Sequence, residues 1–204
     1  MSAPPAWRVA DLIDANSGPF ASAVQQGSPL QVLEPGLRNY GGRRVFWGQA
    51  ATIKCINSNN LLAMAAREQG QGRVLVIDHG GSLSCAVLGD ILATVFQRQG
   101  WEGIIVNGCI RDSEALASVD IGVKALASNP MKPGKGQPAG LRDVPVVVSG
   151  TIIQPGDWIY SDDDGILVSP TQLALPTAEE LEATRQHYFE LILGAAAENG
   201  GAAE

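Results

Sequence analysis

Asp90, then twenty intervening residues, then the pair Arg111-Asp112 place two carboxylates and a guanidinium within a stretch that reads as one βαβ unit. The segment Gly89-Asp90-Ile91-Leu92 stands where a helix is expected to begin. Gly89 permits close backbone approach there, and the N–H groups of Ile91 and Leu92 have no intrahelical acceptors. A helix start of this kind suits an anion, and a carboxylate fits it well. Arg111-Asp112 follows the next strand, at the same end of the neighbouring strand, so the two segments are expected to face each other. Taken alone, the same residues also read as a helix cap at Asp90 and a surface ion pair at Arg111-Asp112.

Other reactive side chains carry weaker signals. His79 after a strand reads as a hydrogen-bonded structural residue rather than a general base, and His187 as an exposed or subunit-contact residue of the terminal helix. Lys54, Lys124, Lys132 and Lys135 are the only lysines, and a Schiff-base mechanism would need one of them desolvated in the pocket; Lys54 is the best placed for that. Asp162-Asp163-Asp164 before Gly165 reads as a solvated turn, and Arg38 with Arg43-Arg44 as an exposed basic edge. Gly70-Gln71-Gly72 and Gly134-Lys135-Gly136 are not nucleotide fingerprints, because neither follows a strand and opens a helix. Cys55, Cys85 and Cys109 are odd in number, widely spaced and free of any C-x-x-C, which argues against disulfides and a structural zinc site; they read as core thiols.

The elements that must position the Asp90 and Arg111 segments are legible in mid-chain. Val74 to Ile77 and Ile104 to Val106 are continuous aliphatic runs, as expected of strands covered on both faces in a parallel sheet. Between them a helix opens with Asp90 as N-cap, carries Leu92, Val95 and Phe96 at helical spacing, and ends at Gln99 before Gly100. A second unit runs through a short helix at Ser113 to Ala117 into a strand at Val123 to Ala125, and both crossovers are expected to be right-handed. Upstream lie a short helix at Val9 to Ala15, strands at Arg44 to Trp47 and Ala51 to Ile56, and a helix at Leu61 to Glu68. Downstream, the Pro- and Gly-rich stretch Asn129 to Leu141 is expected to be a surface loop. Strands follow at Val144 to Val148, Trp158 to Tyr160 and Ile166 to Val168. Thr177 with Glu180 forms a capping box for a terminal helix of about 177–197, whose stripe is Leu181, Tyr188, Leu191 and Ile192; the tail from Asn199 onward reads as disordered. Gly80, Gly81, Gly89 and Gly108 are expected at loops where strands end.

Composition narrows the class of function. With 204 residues, 45% hydrophobic and 17% charged, the chain reads as a single α/β domain over 1–204 with βαβ units and a mixed-sheet or barrel-like core. A net charge of −7 repels a phosphate backbone, so no nucleic-acid partner is expected. No apolar run reaches the roughly 20 residues of a membrane span, and no secretory signal is visible at the N-terminus, so a cytoplasmic protein is expected.

The sequence resembles the RraA-like family, which joins regulators of ribonuclease E activity with class II 4-hydroxy-4-methyl-2-oxoglutarate aldolases. The resemblance runs from Asn39-Tyr40-Gly41-Gly42-Arg43 and Ala51 to Cys55, through Gly72 to Asp78 and Trp101-Glu102-Gly103, to Tyr160, Asp162 and Gly165 to Val168. Its chemistry-bearing part is Gly89 to Asp112. The resemblance implies that Gly89, Asp90, Ile91 and Leu92 bind the pyruvoyl part of a 2-oxo acid, that Arg111 contacts it, and that Asp112 holds a divalent metal. That metal would be Mg²⁺ or alternatively Mn²⁺, ions content with few protein carboxylates. Family members studied as ribonuclease regulators can lack the acid after the arginine, so Asp112 favours the enzymatic branch. The implied activity is retro-aldol cleavage of 4-hydroxy-4-methyl-2-oxoglutarate to pyruvate, with oxaloacetate decarboxylation through the same enolate and Arg111 and Asp90 as catalytic groups. The alternative is a non-catalytic protein that binds and inhibits ribonuclease E. The implied fold resembles swivelling domains, and the implied assembly is a homotrimer or dimer of trimers.

Overall fold

The computed structural model describes residues 5–17, 29–134 and 140–200, with side chains up to 193. Lys135 and the end of the chain from 201 lie outside the described residues. Four parallel strands form the centre: β3 (Phe46–Lys54), β4 (Val74–Leu88), β5 (Gly103–Ile110) and β6 (Gly122–Ser128). Around them lie β1 (Gln31–Val32), β2 (Arg38–Asn39), β7 (Leu141–Arg142), β10 (Trp158–Ser161) and β11 (Ile166–Ser169), all paired antiparallel. The strand order is β1-β11-β10-β3-β4-β5-β6-β2, with β7 also pairing β3. A separate hairpin, β8 (Val146–Val148) with β9 (Thr151–Ile153), turns at Ser149-Gly150, both at positive φ. The helices are α1 (Val9–Ser17), α2 (Asn60–Ala65), α3 (Asp90–Arg98), α4 (Ser113–Leu116) and α5 (Ala178–Gly200).

The mixed sheet is curled, and chain length alone requires it. Laid flat at about 4.8 Å per strand, the path from β1 to β2 would hold its two edges about 34 Å apart. The segment joining Val32 to Arg38 reaches at most about 20 Å when fully extended. The edges must therefore approach each other, which gives the barrel-like core expected. Alternation along β4 and β5 then feeds two apolar faces. Leu75, Ile77, Ile104 and Val106 pack outward against Leu62, Phe96 and Leu116 of α2, α3 and α4. Val74, Val76 and Ile105 point inward with Val146, Val148, Ile153, Ile159 and Ile166. Two apolar faces explain why these strands read as unbroken aliphatic runs. Phe46 plugs the interior against the backbones of Gly103 and Gly122, where no Cβ has room.

Several boundaries differ from expectation, each for a physical reason. The two runs at Arg44 to Trp47 and Ala51 to Ile56 are one strand, β3, because Gly48 packs against the Gly72 carbonyl and does not break the ladder. β4 does not stop at Ile77 but continues for 15 residues to Leu88. Gly80 and Gly81, at positive φ, lie within it beside register shifts in its pairing with β5, so they bulge the strand rather than end it. Gly108 likewise lies inside β5, directly against the His79 ring. α2 is shorter than Leu61 to Glu68, and α5 runs to Gly200, past the expected end near 197. Its capping box forms as expected: Thr177 N–H donates to Glu180 Oε2 at 2.7 Å, and Glu180 N–H donates to Thr177 Oγ1 at 3.2 Å. The short strands β1, β2, β7 and β9 carry no period of their own in the sequence and are defined by their partners.

Candidate active site

β4 and β5 end side by side, with Leu88 paired to Ile110, and Arg111 N–H donates to the Leu88 carbonyl at 2.9 Å. This pairing brings the start of α3 against Arg111-Asp112. Gly89, extended at φ −136°, precedes α3 as its N-cap, and Asp90 is the first helical residue rather than the cap. No side chain caps this helix, so its first N–H groups stay available to a ligand. A Cβ on Gly89 would lie 2.7 Å from Asp112 Oδ2 and 3.2 Å from Arg111 Cγ, so a side chain here would push the Arg111-Asp112 pair aside. Asp112 adopts left-handed backbone at φ 56° and opens α4, whose first turn closes with Leu116 N–H on the Asp112 carbonyl at 2.9 Å. Its Oδ2 accepts from Arg111 Nε at 3.0 Å, and both side chains are about one-third exposed, at 36% and 35%.

Two adjoining cavities share Asp90, Arg111 and Asp112. One, about 240 Å³, is lined by Gly89 to Leu92, Ala63, Val95, Lys132 and Pro133; the other, about 840 Å³, by Ser113, Glu114, Ser118, Ser128 and Asn129 among others. Every expected substrate and metal residue, Gly89, Asp90, Ile91, Leu92, Arg111 and Asp112, therefore lines one of these two cavities. Ile91 is 76% exposed, whereas Leu92 packs partly into the outer core. Lys132 and the segment around it were not singled out by motif. Their signal is positional: residues 129–134 follow β6 at the same edge where β4 and β5 end.

The remaining candidates sort by burial. His79 is fully buried; its Nε2 accepts from Asn57 N–H at 2.9 Å, and burial pushes the imidazole below its ordinary value, against the smaller upward pull of Asp78. It is a structural residue, as expected. Lys54 is not desolvated: its side chain is 52% exposed, and its Nζ pairs with Asp78 Oδ2 at 3.7 Å. The buried lysine is Lys124, whose ammonium is driven down by desolvation and supported by Asp162 and Asp163; it lines neither cavity. Asp162 is not a solvated turn residue but is buried, accepting from Val9 N–H at 2.7 Å and from the N–H groups of Asp164 and Gly165. Arg43 is tied to Glu102 and Asp120, and Arg44 to Asp163 at 2.8 Å. All three cysteines are buried thiols, and burial raises Cys55 to about 11, which makes it inert. His187 lines a separate hollow between α1 and α5.

The family described as RraA-like, Aldolase/RraA, matches residues 9–168. The chain belongs to the RraA-like family. A Burkholderia multivorans relative, 49% identical over 163 residues that cover 80% of this chain and 96% of that protein, is named "Putative 4-hydroxy-4-methyl-2-oxoglutarate aldolase". A solved structure from Geobacillus kaustophilus, named an S-adenosylmethionine:2-dimethylmenaquinone methyltransferase, is 35% identical with a TM-score of 0.74, covering 84% of this chain and 100% of that one. The RNA-processing inhibitor RraA from Thermus thermophilis is 35% identical with a TM-score of 0.72, covering 87% of this chain and 97% of that one. Proteins named for three activities thus share the RraA-like fold, and the choice between them rests on the site. Among the described residues, no helix is long and apolar enough to cross a membrane.

Proposed function

We propose that this RraA-like protein is a cytoplasmic, divalent-metal-dependent carbon–carbon lyase that cleaves 4-hydroxy-4-methyl-2-oxoglutarate by retro-aldol reaction, with oxaloacetate decarboxylation as a second activity. The observation that carries this reading is the uncapped start of α3 held by Gly89 against the Arg111-Asp112 pair. The names of relatives near 50% identity support the same activity.

The donor set fits a hard cation that keeps much of its water. Among the described residues, no group of three or more His, Cys, Asp and Glu side chains forms a cage. Asp112 engages Arg111 through Oδ2, which leaves Oδ1 for an ion, and Mg²⁺ or Mn²⁺ accepts one protein carboxylate together with water and substrate oxygens. When bound, the ion would supply Lewis-acid polarisation of the 2-oxo group. The chain's own groups do the rest. The N–H groups at the start of α3 hold the substrate's C1 carboxylate. Arg111 stabilises the negative charge that develops at the C2 oxygen as the C3–C4 bond breaks. The electron pair of that bond forms the pyruvate enolate, the 4-hydroxyl proton passes to Asp90 directly or through water, and C4 becomes the carbonyl of a second pyruvate. Asp90, at the first position of α3, holds or relays the proton that ends on C3. Loss of carbon dioxide from oxaloacetate yields the same enolate without a hydroxyl proton to remove.

Asp112→Ala is expected to abolish Mg²⁺-dependent pyruvate release, followed by coupling to lactate dehydrogenase. Unchanged release would sink the assignment. Likeness to the Thermus thermophilis inhibitor favours a second reading, a non-catalytic protein that binds and inhibits ribonuclease E. In that case inhibition survives Asp112→Ala and needs no metal. For either reading we propose a homotrimer or dimer of trimers in which the outward apolar residues of α5 are covered.

A further inference from the structure

We infer that Lys132 selects substrates carrying a second carboxylate, acting as a specificity residue at the cavity shared with Arg111 and Asp112. The inference rests on the lyase reading above and names the residue that meets the distal carboxylate of its substrate.

Three observations carry it. The first is that the backbone leading into Lys132 is tied to the sheet. Asn129 N–H donates to the Ile110 carbonyl at 2.8 Å, Asn129 Nδ2 to the Leu83 carbonyl at 2.8 Å, and Met131 N–H to Asn129 Oδ1 at 2.8 Å. Ala86 N–H in β4 donates to the Met131 carbonyl at 2.8 Å. On the other side Pro133 has a fixed φ and confines Lys132 itself to extended backbone. The backbone that carries Lys132 is therefore positioned beside the cavity.

The second observation is that this charge is uncommitted. Lys54 is paired with Asp78, and Lys124 is buried beside Asp162, whereas Lys132 is exposed and has no acidic partner within ion-pair distance among the described residues. In a chain of net charge −7, an unpaired cation beside a cavity is a means of attracting an anion.

The third is the chemistry of the 240 Å³ cavity, where Arg111 and Lys132 are the lining cations and Ala63, Leu92 and Val95 supply apolar surface. The α3 start and Arg111 suffice for one carboxylate and its 2-oxo group. A distal carboxylate set beside these aliphatic groups is stabilised by a further cation, and among the described residues that line the cavity Lys132 is the one not already engaged at the C1–C2 end of the substrate.

The experiment uses the full chain with Mg²⁺ and two substrates. One is 4-hydroxy-4-methyl-2-oxoglutarate; the other is 4-hydroxy-4-methyl-2-oxopentanoate, in which a methyl group replaces the distal carboxylate and cleavage gives pyruvate and acetone. Pyruvate release gives kcat/KM for each. Lys132→Met is expected to lower the diacid-to-monoacid ratio about 10- to 100-fold, the worth of one charge-assisted hydrogen bond, and Lys132→Arg to keep most of it. An unchanged ratio in Lys132→Met, whether both activities persist or both fall together, overturns the role of Lys132 and leaves the lyase reading standing. Release of pyruvate from neither substrate by the unsubstituted protein overturns the lyase reading and this inference with it.

Discussion

Gly89 and Asp112 define the site at the scale of single residues. Asp112 sits at φ 56°, a left-handed conformation that costs an L-residue about 1–2 kcal/mol and that Asp tolerates better than most. The strain aims its carboxylate back across the end of β5 toward Arg111 and Gly89. Gly89 itself is extended, so any residue could adopt its backbone; what excludes a side chain is the Asp112 oxygen 2.7 Å from where a Cβ would be. Gly89→Ala is therefore expected to leave thermal stability nearly unchanged while displacing the Arg111-Asp112 pair and lowering turnover by about 100-fold, as misplaced catalytic groups do. Steady-state pyruvate release alongside a thermal melt separates the two effects. Full activity in Gly89→Ala would show that the pair is not held by this contact. In the sequence the D-x(20)-R-D spacing pointed to these residues and Gly89 read as a place of close backbone approach; that the approaching group is the Asp112 carboxylate is visible only in the structure.

At the scale of elements, β4 departs most from its sequence. Asp78 to Leu88 was expected to leave the sheet, yet the strand continues through a bulge at Gly80-Gly81 and returns to pair with β5 up to Ile110. His79 is packed beneath that bulge, against Gly108, with Nε2 holding Asn57. Its pKa is lowered by burial, so between the folded value and the ordinary unfolded value of about 6.5 the unfolded chain binds a proton that the folded chain refuses. Stability consequently rises with pH in that window and is lost as pH falls below about 6.5. The other histidine, His187, lies exposed on α5. Melting temperature measured from pH 7.5 to 5.5 is expected to fall in the unsubstituted protein and to stay flatter in His79→Gln; equal slopes would show that His79 does not carry the acid sensitivity. Bulges, edge strands such as β1, β2 and β7, and the buried state of Asp162 arise from partners distant in sequence, and no local pattern announces them.

At the scale of the whole molecule, α5 leaves the body with its apolar side chains uncovered. Leu181 packs with Trp7, Leu12 and Tyr160, but Phe189, Leu191, Ile192 and Leu193 are 46–67% exposed. Of the expected stripe Leu181 is buried and Tyr188 half-buried, while Leu191 and Ile192 are exposed together with Phe189 and Leu193, so the apolar surface spreads around the end of the helix instead of forming one line. Ile192→Glu is expected to reduce the proposed assembly to smaller species by light scattering, with the fold retained; an unchanged mass would remove α5 from the proposed interface. The sequence by itself determined the βαβ units, the capping box, and that the start of α3 and Arg111-Asp112 stand at one edge, because aliphatic runs, helix signals and the spacing of Asp90 from Arg111-Asp112 are local or nearly so. Only the tertiary structure decided that the sheet curls, that Lys124 rather than Lys54 is the buried lysine, and that Lys132 looks into the same cavity as Asp112. Those facts depend on which strands are neighbours and on how far a short connection can reach, quantities set by long-range pairing rather than by any residue's own pattern.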